Sequence, residues 1–268
     1  MGAKAAIFVH SGVSGERVAA IGRFGAEMIR VAGTYDDSVV QASKVAAERG
    51  WIIVSDTSWL GYERIPGLVM QGYTALVREA LRRLHEPPTH VFLQAGVGGF
   101  AAAAAGHMAL VLGDRRPTVV VVDPARAACL FESAKAGRPV KVAHGEATVM
   151  AMLECYEPSL VAWRILTRVA DAFMTVDEDH ALAAMNRLAR PAGKDPAIVA
   201  GESGGVGLAG LIASLSVEEA RRALHLGPSS RVLVINTEGA TDPALYTKLV
   251  GMTPDEVLSR NTRAGAVA

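Results

Sequence analysis

The chain has 268 residues, with Lys+Arg and Asp+Glu balanced at 27 each and only two cysteines, Cys129 and Cys155. That balance supplies no basic face for nucleic acid or a membrane surface, and two cysteines make neither a disulfide framework nor a zinc spacing. The apolar run at 101–112 is short and broken by Gly106-His107, so nothing spans a bilayer, and the first residues do not read as a secretory signal; a soluble cytoplasmic protein without a metal site is the default expectation.

Residues 4–9 read as a strand, 14–25 as a helix with Ser14 as cap and Gly25 as stop, and 27–31 as a second strand. Residues 36–50 read as an amphipathic helix with Val39, Val40, Ala46 and Ala47 inward, and 51–54 as a third strand. This βαβαβ order predicts parallel, right-handed layering. Residues 55–67 are irregular and long for a connection, as functional loops often are; Asp56 stands at their start. A helix follows at 68–84.

Val91-Phe92-Leu93 is a short apolar run bounded by Pro87-Pro88 and by glycines, which predicts a buried strand. Gly96-Val97-Gly98-Gly99 comes next, then an alanine-rich helix over 100–112. Strand, glycine turn and helix together aim backbone N–H groups at an anion, although the same pattern also serves as a tight turn with no ligand. Residues 118–122 read as a strand closed by Asp123-Pro124, 129–136 as a short helix, and 140–157 resist assignment. Further helices are expected at 159–172, at 178–190 and from Gly205 to near Leu215, with a strand at 173–176. Another helix is expected at 216–226, capped by Ser216 with Glu219 three residues on. The last strand is 231–235, and Asp242-Pro243 begin the final helix, aspartate as cap and proline at the first position.

Three turns fall at strand ends, where open α/β sheets bind ligands: Gly96-Val97-Gly98-Gly99, Gly201-Glu202-Ser203-Gly204-Gly205 and Asn236-Thr237-Glu238-Gly239. Gly96, Gly98 and Asp123 also fit a dinucleotide fingerprint, so an NAD site is a rival. That rival leaves the two later turns without a task.

The segments Asp56-Thr57-Ser58-Trp59, Gly61-Tyr62, Ile65-Pro66, Met70-Gln71-Gly72-Tyr73, the run 88–98, Gly201-Glu202-Ser203-Gly204 and Thr237-Glu238-Gly239 with Thr241-Asp242-Pro243 carry a resemblance. Together they resemble the fold type II pyridoxal-phosphate enzymes, the threonine dehydratase and tryptophan synthase β group, and within it the diaminopropionate ammonia-lyases. The resemblance implies α/β parallel open sheets with helices on both faces, N-terminally incomplete. It divides them into residues 1–55, the remainder of a small βαβ domain, and 56–268, a large cofactor-binding domain. It implies pyridoxal 5'-phosphate as cofactor, an amino-acid substrate, a homodimer, and β-elimination of 2,3-diaminopropionate to pyruvate and ammonia.

By position, Gly96, Val97, Gly98 and Gly99 would hold the cofactor phosphate and Thr237 would meet the pyridine nitrogen. A neutral hydroxyl there leaves the ring a weaker electron sink, which favours elimination over transamination. Asp56 matches an acid that transfers protons near Cα; capping its own loop is the plainer role. Glu202 would border the cofactor, orienting substrate or satisfying N–H groups in its turn. Met152 and Tyr156 stand where the group carries glycines, near the substrate entrance. Cys129 and Cys155 flank that region and are expected to approach one another, as free thiols or as a disulfide. The group's Schiff-base lysine belongs to a segment preceding Lys4. The chain alone is therefore expected not to be a competent lyase, and a separate N-terminal fragment, a non-catalytic remnant and a phosphate-ligand-binding protein stay open beside the enzyme.

Overall fold

Two parallel sheets organise the chain in the computed structural model, which describes residues 2–265, with side chains through residue 261. The first is a small lobe. Strand β1 (Ala6–His10) leads through helix α1 (Gly15–Gly22) to β2 (Glu27–Val31), which pairs with β1 in parallel, and α2 (Tyr35–Arg49) packs back on both. Ser14 caps α1 by accepting from the Arg17 amide, and Thr34 with Asp37 makes a complete capping box on α2. Gly50 ends α2 at φ 64°, the left-handed residue a helix stop favours.

After the 55–63 loop come α3 (Arg64–Arg83), β3 (His90–Gln94), α4 (Gly99–Leu112), β4 (Thr118–Pro124), α5 (Cys129–Ala136), α6 (Leu160–Val169), β5 (Ala172–Val176) and α7 (Glu178–Ala189). Then follow α8 (Val206–Ser216), α9 (Glu218–Ala223), β6 (Val232–Val234), α10 (Pro243–Val250) and α11 (Pro254–Gly265). The second sheet is parallel throughout, in the order β5-β4-β3-β6. All five residues of β3 are buried, as a strand covered on both faces must be. On one face Val91, Leu93, Val119 and Val121 pack with the alanines of α4 and with Trp163 and Leu166 of α6. On the other, Phe92, Val120 and Val122 meet Val206 and Ala209 of α8 and Ala181 and Ala184 of α7. Gly210 lets α8 approach closely: a Cβ there would stand 2.7 Å from Val122 Cγ2.

Four local expectations change. Residues 51–54 join no ladder among the described residues, and Ile52 and Val54 are 82% and 71% exposed. A strand exists through its neighbour, and the apolar pattern alone supplied none. Val40 and Ala47 are exposed rather than inward. Ser216 does not cap a helix; its hydroxyl donates to Ile212 O within α8, and α9 starts from Val217 without a side-chain cap. The helix begun by Asp242, whose carboxylate accepts from Leu245 N, is followed by one more, α11.

Candidate active site

The glycine loop stands between the buried end of β3 and the first turn of α4. Residues 96–99 are buried, and Gly98 sits at φ 93°, a conformation that favours glycine. A Cβ on Gly98 would also meet Leu130 Cδ1 at 3.0 Å. Among the described residues, no backbone carbonyl accepts from the amides of 96–99. Buried amides are normally paired, and four at one helix N-terminus add to its partial positive charge. This is the chemistry of an anion cradle, and its donors suit a phosphate.

What lies on the loop is the segment after α5. A Cβ on Gly96 would stand 3.0 Å from Cys155 Sγ and 3.2 Å from Leu153 Cα, and the Val97 amide faces the Cys155 thiol. Cys129 Sγ lies 3.5 Å from Gly96 O. The two cysteines thus converge on Gly96, buried and as free thiols, and burial pushes both well above the usual thiol range.

Thr237 comes to the same place because β6 pairs with β3. Gln94, the last residue of β3, shares the two protons of its Nε2 among Thr237 Oγ1 at 2.8 Å, Ile235 O at 2.8 Å and Gly204 O at 3.1 Å. One buried amide therefore ties together all three polar turns. Asp56 lies on the other side of the loop, its carbonyl 3.4 Å from where a Gly99 Cβ would be. Its carboxylate accepts from Tyr35 Oη at 2.8 Å and lines a cavity of about 260 Å³ with Tyr35, Ser38, Ile53 and Ser55. Burial first, then the Asp56 carboxylate, pushes the Tyr35 hydroxyl up, so it stays a donor.

Glu202 is buried and does not serve its own turn. It pairs with Arg17 of α1, which also binds Glu238 Oε1 at 3.1 Å and Thr241 Oγ1 at 3.1 Å. Glu238 Oε2 accepts from Ser203 N at 3.0 Å, and the turns meet so closely that a Cβ on Gly201 would stand 2.6 Å from that oxygen. Burial, followed by the neighbouring Glu202, raises the Glu238 carboxyl above the usual carboxylate range.

Asp123 does not face a ligand. It is 1% exposed, and its Oδ2 accepts from Leu130 N and Phe131 N at the start of α5, both at 2.9 Å. Burial pushes it up to about 8. A ribose could not reach it, which removes the acid the dinucleotide reading needs.

Gln94, Arg17 and Tyr35 escaped the sequence reading. A glutamine closing an otherwise apolar strand is a signal that could have marked Gln94. Arg17 and Tyr35 are ordinary helix residues in the sequence, and only the approach of α1 to the turns at Glu202 and Glu238, and of α2 to Asp56, gives them partners.

The family described as "Pyridoxal-phosphate dependent enzyme" matches residues 1–238. Diaminopropionate ammonia-lyase of Escherichia coli K12 is 39% identical over 257 residues, 93% of this chain, and its Salmonella typhimurium counterpart is 37% identical over 260. The crystal structure of the Escherichia coli enzyme with an aminoacrylate-PLP azomethine intermediate superposes with a TM-score of 0.87 at 39% identity, covering 93% of this chain and 65% of that one. A tomato threonine deaminase, 17% identical with a TM-score of 0.71, shares the fold. The chain spans 64% of the length of the curated ammonia-lyases it matches.

Proposed function

The chain belongs to the pyridoxal-phosphate-dependent enzymes of fold type II, and from that membership we propose that it forms the cofactor-binding portion of an ammonia-lyase. The proposed reaction is β-elimination of 2,3-diaminopropionate, or a related amino acid, to pyruvate and ammonia. The observation that supports this reading is that no backbone carbonyl accepts from the buried amides of residues 96–99, which follow closely on Gln94, the residue hydrogen-bonded to Thr237.

In this reading residues 56–268 are the large domain and 1–55 part of the small one. Gly96, Val97, Gly98 and Gly99 hold the phosphate through N–H groups, and Thr237 hydrogen-bonds the pyridine nitrogen. Bound pyridoxal phosphate supplies the sink for electrons leaving the substrate α-carbon. Asp56, fixed by Tyr35, moves a proton beside that carbon. Glu202 closes the ring side of the site, held by Arg17. All six lysines are exposed, so the reaction is proposed for these residues in concert with an anchoring amine contributed from elsewhere. The homodimer and the cytoplasm remain parts of the proposal; among the described residues, no helix is long and apolar enough to cross a membrane.

Titrating the purified chain with pyridoxal phosphate, and separately with NADH, while following absorbance and pyruvate release from diaminopropionate tests the reading. Saturable pyridoxal-phosphate binding that Thr237→Val weakens is expected. Binding without pyruvate matches the phosphate-ligand reading of the isolated chain. Binding of NADH alone would overturn both.

A further inference from the structure

We propose that Glu154, held by Tyr156, selects an amino acid whose side chain carries an ammonium group; this deepens, and rests on, the reading that the chain takes 2,3-diaminopropionate or a related amino acid beside the glycine loop. The stretch 152–156 crosses the whole site. Met152 N donates to Ser203 Oγ at 3.1 Å, which ties its start to the Gly201–Gly205 turn. Leu153 and Cys155 pack on Gly96. Tyr156 ends it near Asp36, in the first turn of α2. The backbone turns sharply at Glu154: Cys155 N donates to Leu153 O at 2.8 Å, and Glu154 sits at φ −74° and ψ 77°, the dihedrals of an inverse γ-turn. With the residues on either side pressed against Gly96, Glu154 is the tip. Its side chain leaves toward the small lobe, where the His10 imidazole at the end of β1 feels its charge.

The carboxylate is fixed but has no counter-charge. Tyr156 Oη donates to Glu154 Oε1 at 2.7 Å, and burial, then that carboxylate, raises the hydroxyl, so it stays a donor. The tyrosine is 3% exposed and its ring centroid lies 4.8 Å from that of His144, so the donor is held in place. Burial lowers the His10 imidazole against the pull of Glu154, which leaves it uncharged at neutral pH. The cation of this corner, Lys141, is engaged by Glu157 at 3.1 Å and by Asp36 at 3.9 Å. Among the described residues, no lysine or arginine pairs with Glu154.

A half-buried carboxylate in a cleft between two lobes is costly alone and is completed by a cation. An ammonium brings three donors and a charge, whereas a hydroxyl of the same reach brings one donor and none; charge-assisted hydrogen bonds are about twice as strong as neutral ones. The leaving chemistry points the same way. When the Cβ–N bond breaks, its electron pair goes to nitrogen, which departs as neutral ammonia only if it was an ammonium beforehand. A carboxylate that favours the ammonium form therefore serves recognition and departure alike. Because the group carries glycine where Tyr156 stands, a tyrosine-held carboxylate here is a feature of this chain.

The test is calorimetric titration of the purified chain, loaded with pyridoxal phosphate, with L-2,3-diaminopropionate and separately with L-serine, and with thermal unfolding as the control for folding. The unaltered chain is expected to prefer diaminopropionate by about tenfold or more. Glu154→Gln keeps an acceptor for Tyr156 and removes the charge. Its preference should fall below about threefold, through weaker diaminopropionate binding alone, with serine affinity unchanged. Tyr156→Phe keeps the charge and frees it to move, so its preference should lie between the two. Equal affinity of the unaltered chain for both amino acids, or binding of neither, overturns the inference and leaves the cofactor site standing. So does an unchanged preference in either variant. An equal loss of both amino acids in Glu154→Gln, the mark of a merely structural role, overturns it as well. Failure of the unaltered chain to bind pyridoxal phosphate sinks the site reading and takes the inference with it.

Discussion

The two parallel sheets are built from the same β–α–β step and differ in what covers them. In β3 every residue is buried, whereas β1 buries only Val9 and β2 buries none completely. The large sheet has helices on both faces and can stand on its apolar core. The small lobe has too little core of its own and is joined to the large domain through polar side chains, Arg17 to the Glu202–Glu238 pair and Tyr35 to Asp56. The glycine turn beside β3 is thus held by packing, and the small lobe is placed against it by hydrogen bonds and ion pairs.

The sharpest way to break that contrast is Arg17→Met. It removes the cation that pairs with two buried carboxylates, and a buried charge left alone costs about 3–5 kcal/mol. The expected outcome is loss of protection in β1 and β2 by amide hydrogen exchange, with β3 and β4 still protected. Equal loss in both sheets would show that the lobes unfold as one. Next in size is Leu93→Ala, fully buried in β3, expected to cost about 2–5 kcal/mol in chemical denaturation. Its small-lobe counterpart Ile29→Ala, only half-buried, should cost about 1 kcal/mol.

The same contrast governs what could be seen in the sequence. Val91-Phe92-Leu93 between prolines and glycines announced a buried strand because burial on both faces demands an unbroken apolar run. The Gly96–Gly99 turn and the Asp242-Pro243 cap were legible for the same reason: each is a local solution to a local problem. Trp51 to Val54 carried strand residues yet found no ladder, since pairing depends on a neighbour that no local pattern encodes. Gln94, Arg17 and Tyr35 take their meaning from residues 143, 185 and 21 positions away.

Two capping carboxylates extend the comparison to pH. Asp123 caps α5 from inside the large domain and is raised to about 8, burial outweighing its two amide donors. Its folded value exceeds the unfolded one near 3.8, so the folded state binds the extra proton. That contribution is full below about 4 and is lost as pH rises toward about 8. Asp37 caps α2 on the surface of the small lobe and is lowered by the Thr34 amide and hydroxyl. Its contribution is present above the unfolded value and is lost as pH falls through the folded one. Asp123→Asn should therefore flatten the fall in unfolding free energy toward alkaline pH, and Asp37→Asn should flatten only the acid side. Urea midpoints measured across pH check both slopes; a swap of the two effects would contradict the burial argument.

The smallest effect expected is that of Tyr35→Phe, and it probes the second polar junction between the regions, Tyr35 to Asp56. The substitution keeps the ring in the first turn of α2 and deletes only the hydroxyl that donates to Asp56 Oδ1. Packing is conserved, so thermal stability should fall by no more than about 1 kcal/mol, the net worth of one hydrogen bond. Asp56, freed from that donor, can swing away from the proton it is proposed to move. A loss of orientation acts on the transition state more than on ground-state binding, so kcat should drop about tenfold while KM holds. That split is measurable only in the assembled enzyme with its anchoring amine present. If KM rises and kcat holds, Tyr35 shapes the cavity beside Asp56 and does not aim the carboxylate, and the small lobe's contribution reduces to closing the site.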